Sequence, residues 1–396
     1  MHTVSGLQVS PPVLRPDSPS LKAFLELGFR PLYLGGTAWA VVAIAIWIFA
    51  PTIPAGPLQG ILWHAHEMIW GFLATIAVAF LLTASANWTG IVPLRGAALG
   101  ALSLVWLVAR LAFLLPGTAA FSVAAVAEVA FFLAAAVAVG RVILLARSRR
   151  NYGVPGLLAA LAVVDALFLS GVRGGDYLAL MTRLHAGLLV MGVVALLIAG
   201  RVIPFFASRA VPGLVLPAQA RIGQVRLVAC CAAVVLLLAG LEKATAVALA
   251  TAGVLALFQL ARWKPLAVRH NPLLWILYAG YAGLGLGLVM AACARSGIHP
   301  VPPALPVHVL AMGGFSVLVI GMVTRTALGH LGRPLKVDRS MVAAYALVLV
   351  ATVLRLVAIW PSQATAAALR LSAAAWIAAF VLYLWRFFPM LIRPRA

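Results

Sequence analysis

The sequence predicts an all-α polytopic membrane protein of about 12 transmembrane helices, and three observations carry that prediction. First, 64% of the 396 residues are hydrophobic and only 9% are charged, against roughly 45–50% and about 25% in soluble domains. That composition excludes a water-soluble globular enzyme, and it also excludes disorder, which needs low hydrophobicity and high charge. Second, the apolar residues come in continuous runs of the length that carries a helix across a hydrocarbon core of about 30 Å, whereas barrel strands would alternate. Third, proline, glycine and basic residues fall between the runs.

Residues 1–28 form a polar arm with Pro11, Pro12, Pro16 and Pro19 and no apolar core of a secretory signal. Residues 22–29 read as an interfacial segment before the first span. The runs then lie at 31–50, 63–86, 97–116, 119–146, 154–171, 178–206, 225–241, 244–262, 271–294, 305–328, 340–360 and 365–388. Pro31 suits a first helical turn. Pro51, Pro54 and Pro57 separate runs 1 and 2, Pro116-Gly117 turns run 3 into run 4, and Pro300, Pro302, Pro303 and Pro306 precede run 10. Gly280, Gly283, Gly285 and Gly287 have no strand before them, so they are a close-packing face rather than a phosphate loop. Residues 29–390 read as one transmembrane domain.

Charge sets the expected orientation. There are 29 Lys and Arg against 8 Asp and Glu, a net charge of +21. Of the 29 basic residues, 22 fall in the arm, in alternate loops (2–3, 4–5, 6–7, 8–9, 10–11) and in the tail, and 7 on the other side. Positive residues collect on the cytoplasmic side, so both termini are expected there. No basic domain or stacking module accompanies the charge, so the expected partner is the lipid bilayer and not nucleic acid. Cys230, Cys231 and Cys293 form neither a disulfide framework nor a CxxC metal site.

Ionisable groups inside a membrane are costly and usually functional. His64, His66 and Glu67 open run 2, Arg183 and His185 lie in the outer part of run 6, and His308 opens run 10; Glu128 and Asp165 lie in runs 4 and 5. His64 to His185 is 121 residues and His185 to His308 is 123. That period of four spans suggests three pseudo-repeated four-helix units, 29–146, 154–262 and 271–388, each with a histidine at one depth on its second helix. A lone histidine is ordinarily a hydrogen-bonded core residue, but several in one leaflet favour ligation of copper, iron or zinc by neutral imidazole. Residues two apart on a helix point about 200° apart, so His64 and His66 would serve different centres. Trp63, Trp70 and Phe72 could wall a haem, and Arg110 and Arg183 near the outer surface could pair with its carboxylates. His66 is the expected haem ligand, because His64 occupies the repeat position of His185 and His308. His330, at the inner end of run 10, is about 33 Å from His308 on a continuous helix. It either caps the inner loop or serves a second, cytoplasmic-side centre.

The strings GFRPLYL at 28–34, WHAHEM at 63–68, FLLTA at 80–84 with NWTG at 87–90, GRVIPFF at 200–206 and TRTALGHLGRP at 324–334 resemble the NnrS family, in the family's order from about residue 24 to 390. The resemblance implies a bacterial inner-membrane protein of twelve spans that holds haem, of b type, and copper. It further implies a role in denitrification and in resistance to nitric oxide and nitrosative stress. The histidines it carries over are His64, His66, His185, His308 and His330, with no division between haem and copper. Whether nitric oxide is turned over or only bound, and from which electron donor, stays open. A more distant likeness is to the haem–copper oxidases, which also have three four-helix units, but here span 7 has no adjacent histidine pair and span 10 has no His-x-His. The alternative function is transport of a metal ion or small solute. The ionisable groups cluster near one surface instead of forming a relay across the membrane, which favours the haem/copper reading.

Overall fold

The computed structural model describes residues 18–297 and 301–395, and among these are twelve apolar helices and no strand. They are α1 (Phe29–Phe49), α2 (Gly60–Thr89), α3 (Ala97–Ala112), α4 (Thr118–Leu145), α5 (Gly153–Gly171), α6 (Tyr177–Ala210), α7 (Ala220–Leu238), α8 (Glu242–Arg262), α9 (Pro272–Ser296), α10 (Ala304–His330), α11 (Arg339–Val357) and α12 (Thr365–Leu391). Eleven are long and apolar enough to cross a membrane; α3, with 16 residues, is shorter. The apolar run 97–116 is longer than this helix because Pro116 disfavours helical backbone before it and Gly117 takes φ +92° to turn the chain into α4. Residues 22–29 contribute one short helical turn, Leu21–Phe24.

Helices adjacent in sequence pack side by side from α3 through α10, and α12 closes the ring against α1. α2, α6 and α10 meet around a central apolar cavity of about 70 Å³, walled by Leu73, Ile76, Met191, Val194, Phe315 and Met322. The α9 glycines do what their spacing suggested. A Cβ at Gly283 would overlap the Gly313 backbone, and one at Gly287 would sit 2.8 Å from Leu310, so α9 and α10 touch along their backbones.

Both described ends of the chain lie at one end of the bundle. The Ser20 N–H donates to Ile392 O (2.9 Å), Arg30 donates to the carbonyls of Leu391 (3.1 Å) and Arg393 (2.5 Å), and Gly96 N–H donates to Leu25 O (2.7 Å). Arg30 thereby places a cation on the carbonyl end of α12, where the helix dipole favours one. Arg386 holds Asp338 (2.6 Å) and Arg201 holds Asn151 (2.7 Å), which brings the basic α10–α11 and α4–α5 loops to the same end.

α2 and α10 are not regular. Each begins α-helical, passes through eight π-helical residues (Glu67–Ala74 and Val309–Ser316), and resumes α-helical winding. Each π segment starts directly after a histidine, His66 or His308. A hydroxyl donates five residues back at each far end: Thr75 Oγ1 to Trp70 O (3.0 Å) and Ser316 Oγ to Ala311 O (2.8 Å). Those bonds satisfy carbonyls that the wider winding would leave poorly paired. Such insertions often mark functional positions.

Candidate functional site

The end of the bundle opposite the termini carries most of the residues that the sequence singled out, and a buried polar network is centred on His66. His66 is fully buried between the carboxylates of Glu67 and Asp165, with Nδ1 3.1 Å from Glu67 Oε1 and Nε2 3.0 Å from Asp165 Oδ1. Glu128 Oε2 lies 3.7 Å from the same Nε2. Arg110 donates one Nη to Glu67 and the other to Glu128, and Trp39 Nε1 donates to Glu67 Oε2 (2.6 Å). Five helices, α1 to α5, each supply at least one group. Trp70, Phe113 and Phe168 close around the imidazole at ring separations of 4.9–5.6 Å. The arrangement exists because a charge in an apolar bundle must be paired or neutralised. Arg110 is the resident cation, and Gly71 leaves room for it: a Cβ there would stand 2.7 Å from Glu67 Oε2 and 2.9 Å from Trp39 Nε1. Both His66 nitrogens face carboxylate oxygens, which only accept when ionised. Either an imidazolium or a protonated carboxyl must therefore supply the second hydrogen. His66, Glu67 and Glu128 could each bring a ligand atom within 4.8 Å of the others. In this arrangement the guanidinium already donates to both glutamates.

His64 points elsewhere, as the two-residue spacing on α2 requires. Its ring stacks on Trp47 of α1 (4.9 Å between centroids, planes 8° apart), and its Nδ1 is buried with no hydrogen-bond partner. Arg355 of α11 and the His308 ring of α10 lie within electrostatic range of it. His308 Nδ1 lies 2.7 Å from Ala304 O. A carbonyl only accepts, so Nδ1 carries the proton and Nε2 of the neutral ring keeps its lone pair. This is the second contact by which a ligating histidine is usually oriented. An orphaned His64 nitrogen near an oriented His308 fits a metal-bound group in the donor chemistry of both residues.

The remaining predicted residues fall in other settings. His185 of α6 accepts from Arg295 of α9 at Nδ1 (3.4 Å), and Arg295 donates in turn to Glu242 of α8 (2.5 Å). Arg183 donates to Leu167 O (2.7 Å), which ties α6 to α5. His330 lies at the other end of α10, its ring 5.5 Å from Phe29. His64 has His308 within electrostatic range, and His185 faces Arg295 and lines one cavity with Pro306, Val307 and Leu310, which flank His308. Trp70 donates Nε1 to Leu161 O (3.1 Å), and Phe72 packs on Trp376 and Phe380.

Sequence reasoning named Glu67, Glu128 and Asp165 as costly residues and Arg110 as a group near the outer surface that could pair with haem carboxylates, but did not join the four into one network, and it gave Trp39, Arg295 and Arg355 no role in a site. A signal was present for the first four. Three acids and a guanidinium in neighbouring spans of so apolar a chain can be accommodated only against one another. Nothing in the local sequence of Trp39 marks it.

No curated protein matches the chain significantly. A family model, described as NnrS protein, matches residues 23–395, nearly the whole described chain and all twelve helices. That span takes in both the His66 network and the His64–His308 pair, so the chain belongs to the NnrS family.

Proposed function

We propose that this protein lies in the bacterial inner membrane with both termini in the cytoplasm. It holds haem and copper there and acts in the response to nitric oxide and nitrosative stress, binding or processing nitric oxide or its metal–nitrosyl products. Family membership and the expectation set by the basic loops support the reading. The observation that carries it is the pair His64 and His308: one has a buried nitrogen without a partner, and the other has its proton directed to Ala304 O so that Nε2 is free. Either a haem iron or a copper ion would supply a coordination position for nitric oxide when bound there. The protein's own residues orient the two imidazoles, His64 by stacking on Trp47 and His308 through Ala304 O, and Arg355 acts on both as a positive charge. Both His66 nitrogens face carboxylates, so a metal bound by His66 would have to take the place of one of those contacts.

The test is an absorption spectrum of detergent-purified protein, oxidised, reduced and with nitric oxide added, together with metal analysis. The expected protein is coloured, contains copper and responds to nitric oxide. His64→Ala and His308→Ala should each lose bound metal, and His66→Gln should keep it. A folded, colourless, metal-free protein would sink the proposal.

A further inference from the structure

A cavity of about 210 Å³ lies between α6, α8, α9 and α10, at the end of the bundle that holds the histidines. Its walls are apolar, from residues such as Leu188, Leu249, Ala291 and Leu310, and its polar groups are His185 and Arg295. Neither belongs to the His64–His308 pair or to the His66 network.

The hydrogen bonds fix what this cavity can recognise. A guanidinium only donates, so Arg295 Nη2 at 3.4 Å makes His185 Nδ1 an acceptor. In the neutral ring the proton then resides on Nε2, and His185 offers a donor. Arg295 offers donors too, but its positive charge is already matched by Glu242 at 2.5 Å. The cavity therefore presents hydrogen-bond donors without net charge. An anion would arrive there against a guanidinium whose charge Glu242 already offsets from outside the cavity. A neutral oxygen acceptor on an apolar body needs no counter-charge. The volume suits a ring-sized molecule, and the surrounding spans make a molecule that partitions into the bilayer the natural occupant.

We infer that the cavity bounded by His185 and Arg295 is a binding site for a neutral, membrane-soluble carbonyl compound of quinone type, its oxygen accepting from His185 Nε2–H. The claim concerns binding only and is independent of any metal at His64 and His308.

The experiment uses the full-length protein in phospholipid nanodiscs, with ubiquinone-1 as probe in equilibrium dialysis and empty nanodiscs as the partition control. Saturable binding above the control is expected. His185→Phe keeps a ring but removes the donor and should weaken binding about tenfold, the loss of one buried hydrogen bond. Leu188→Trp and Ala291→Phe fill the cavity from α6 and α9 and should each abolish saturable binding; two variants guard against one failing to fold, which circular dichroism checks. Decanoate should not compete in the native protein but should bind once Glu242→Gln frees the Arg295 charge. Ubiquinone-1 uptake equal to empty nanodiscs would overturn the inference. So would saturable binding that both cavity-filling variants retain. Decanoate competing as well as ubiquinone-1 in the native protein would assign the cavity to anions instead.

Discussion

Arg110→Met is the sharpest perturbation of the buried network. The native side chain is fully buried, and its two Nη groups donate to Glu67 and Glu128. Methionine fills much of the same volume, so packing against Phe113 is largely kept and the main change is electrostatic. Glu67 then retains Trp39 and His66, but Glu128, whose Oε1 already lacks a partner, keeps only the 3.7 Å approach of His66. Removing one member of a buried ion pair typically costs 3–5 kcal/mol, because the other charge is stranded. Two charges are stranded here, so a loss of about 4 kcal/mol or more is expected. Neutralising the partners should restore most of it: a buried pair replaced by neutral groups of similar shape is often nearly neutral in stability. The assay is reversible unfolding in mixed detergent micelles, followed by helical circular dichroism, for the native protein, Arg110→Met, and Arg110→Met with Glu67→Gln and Glu128→Gln. A single variant within about 1 kcal/mol of native, or a triple variant no more stable than the single, would refute the reasoning.

Asp338 caps α11, accepting from Met341 N–H (3.2 Å) and from Ser340 and Arg386 (both 2.6 Å). Partial burial pushes its carboxyl up, but these hydrogen bonds together outweigh burial and hold it below the ordinary carboxylate range. A lowered folded-state value means the stabilisation is fully present above the unfolded value of about 3.9 and is lost as pH falls through the folded one. The stability difference between native protein and Asp338→Ala, expected near 1 kcal/mol from the cap, should therefore shrink below about pH 4; a constant difference would count against it. His330→Ala should leave the spectrum of the His64–His308 centre unchanged, since His330 is at the far end of α10; a lost or shifted spectrum in a folded variant would contradict that separation. Cysteines placed at 141–150 should be unreactive to impermeant thiol reagents in intact spheroplasts, and labelling there from outside would invert the proposed orientation.

Composition and periodicity by themselves determined that the chain is a helical membrane bundle, and very nearly where each helix lies. In a bilayer every backbone group must be satisfied within its own helix, so long apolar runs leave no other structure. Gly283 and Gly287 likewise foretold a close-packing face on α9, because a missing side chain at four-residue spacing has one common use in a membrane; that α10 is the helix packed on it came only from the structure. The opposite facing of His64 and His66 also followed from helical geometry alone, since their stretch of α2 is regular. The limits appear where the argument depends on which helix stands next to which. The recurrence of His64, His185 and His308 at a four-span interval could not say what each ring would face; packing puts Trp47 against His64, Arg295 against His185 and Ala304 O against His308. Depth along a helix is encoded locally, whereas azimuth and neighbour are set by the whole bundle. The π-helical segments after His66 and His308 rotate everything beyond them and carry no reliable local signature. The burial of Arg110 is the clearest case. A guanidinium near a helix end reads in sequence as a surface group, and only the convergence of Glu67 and Glu128 from two other helices makes the interior a tolerable place for it.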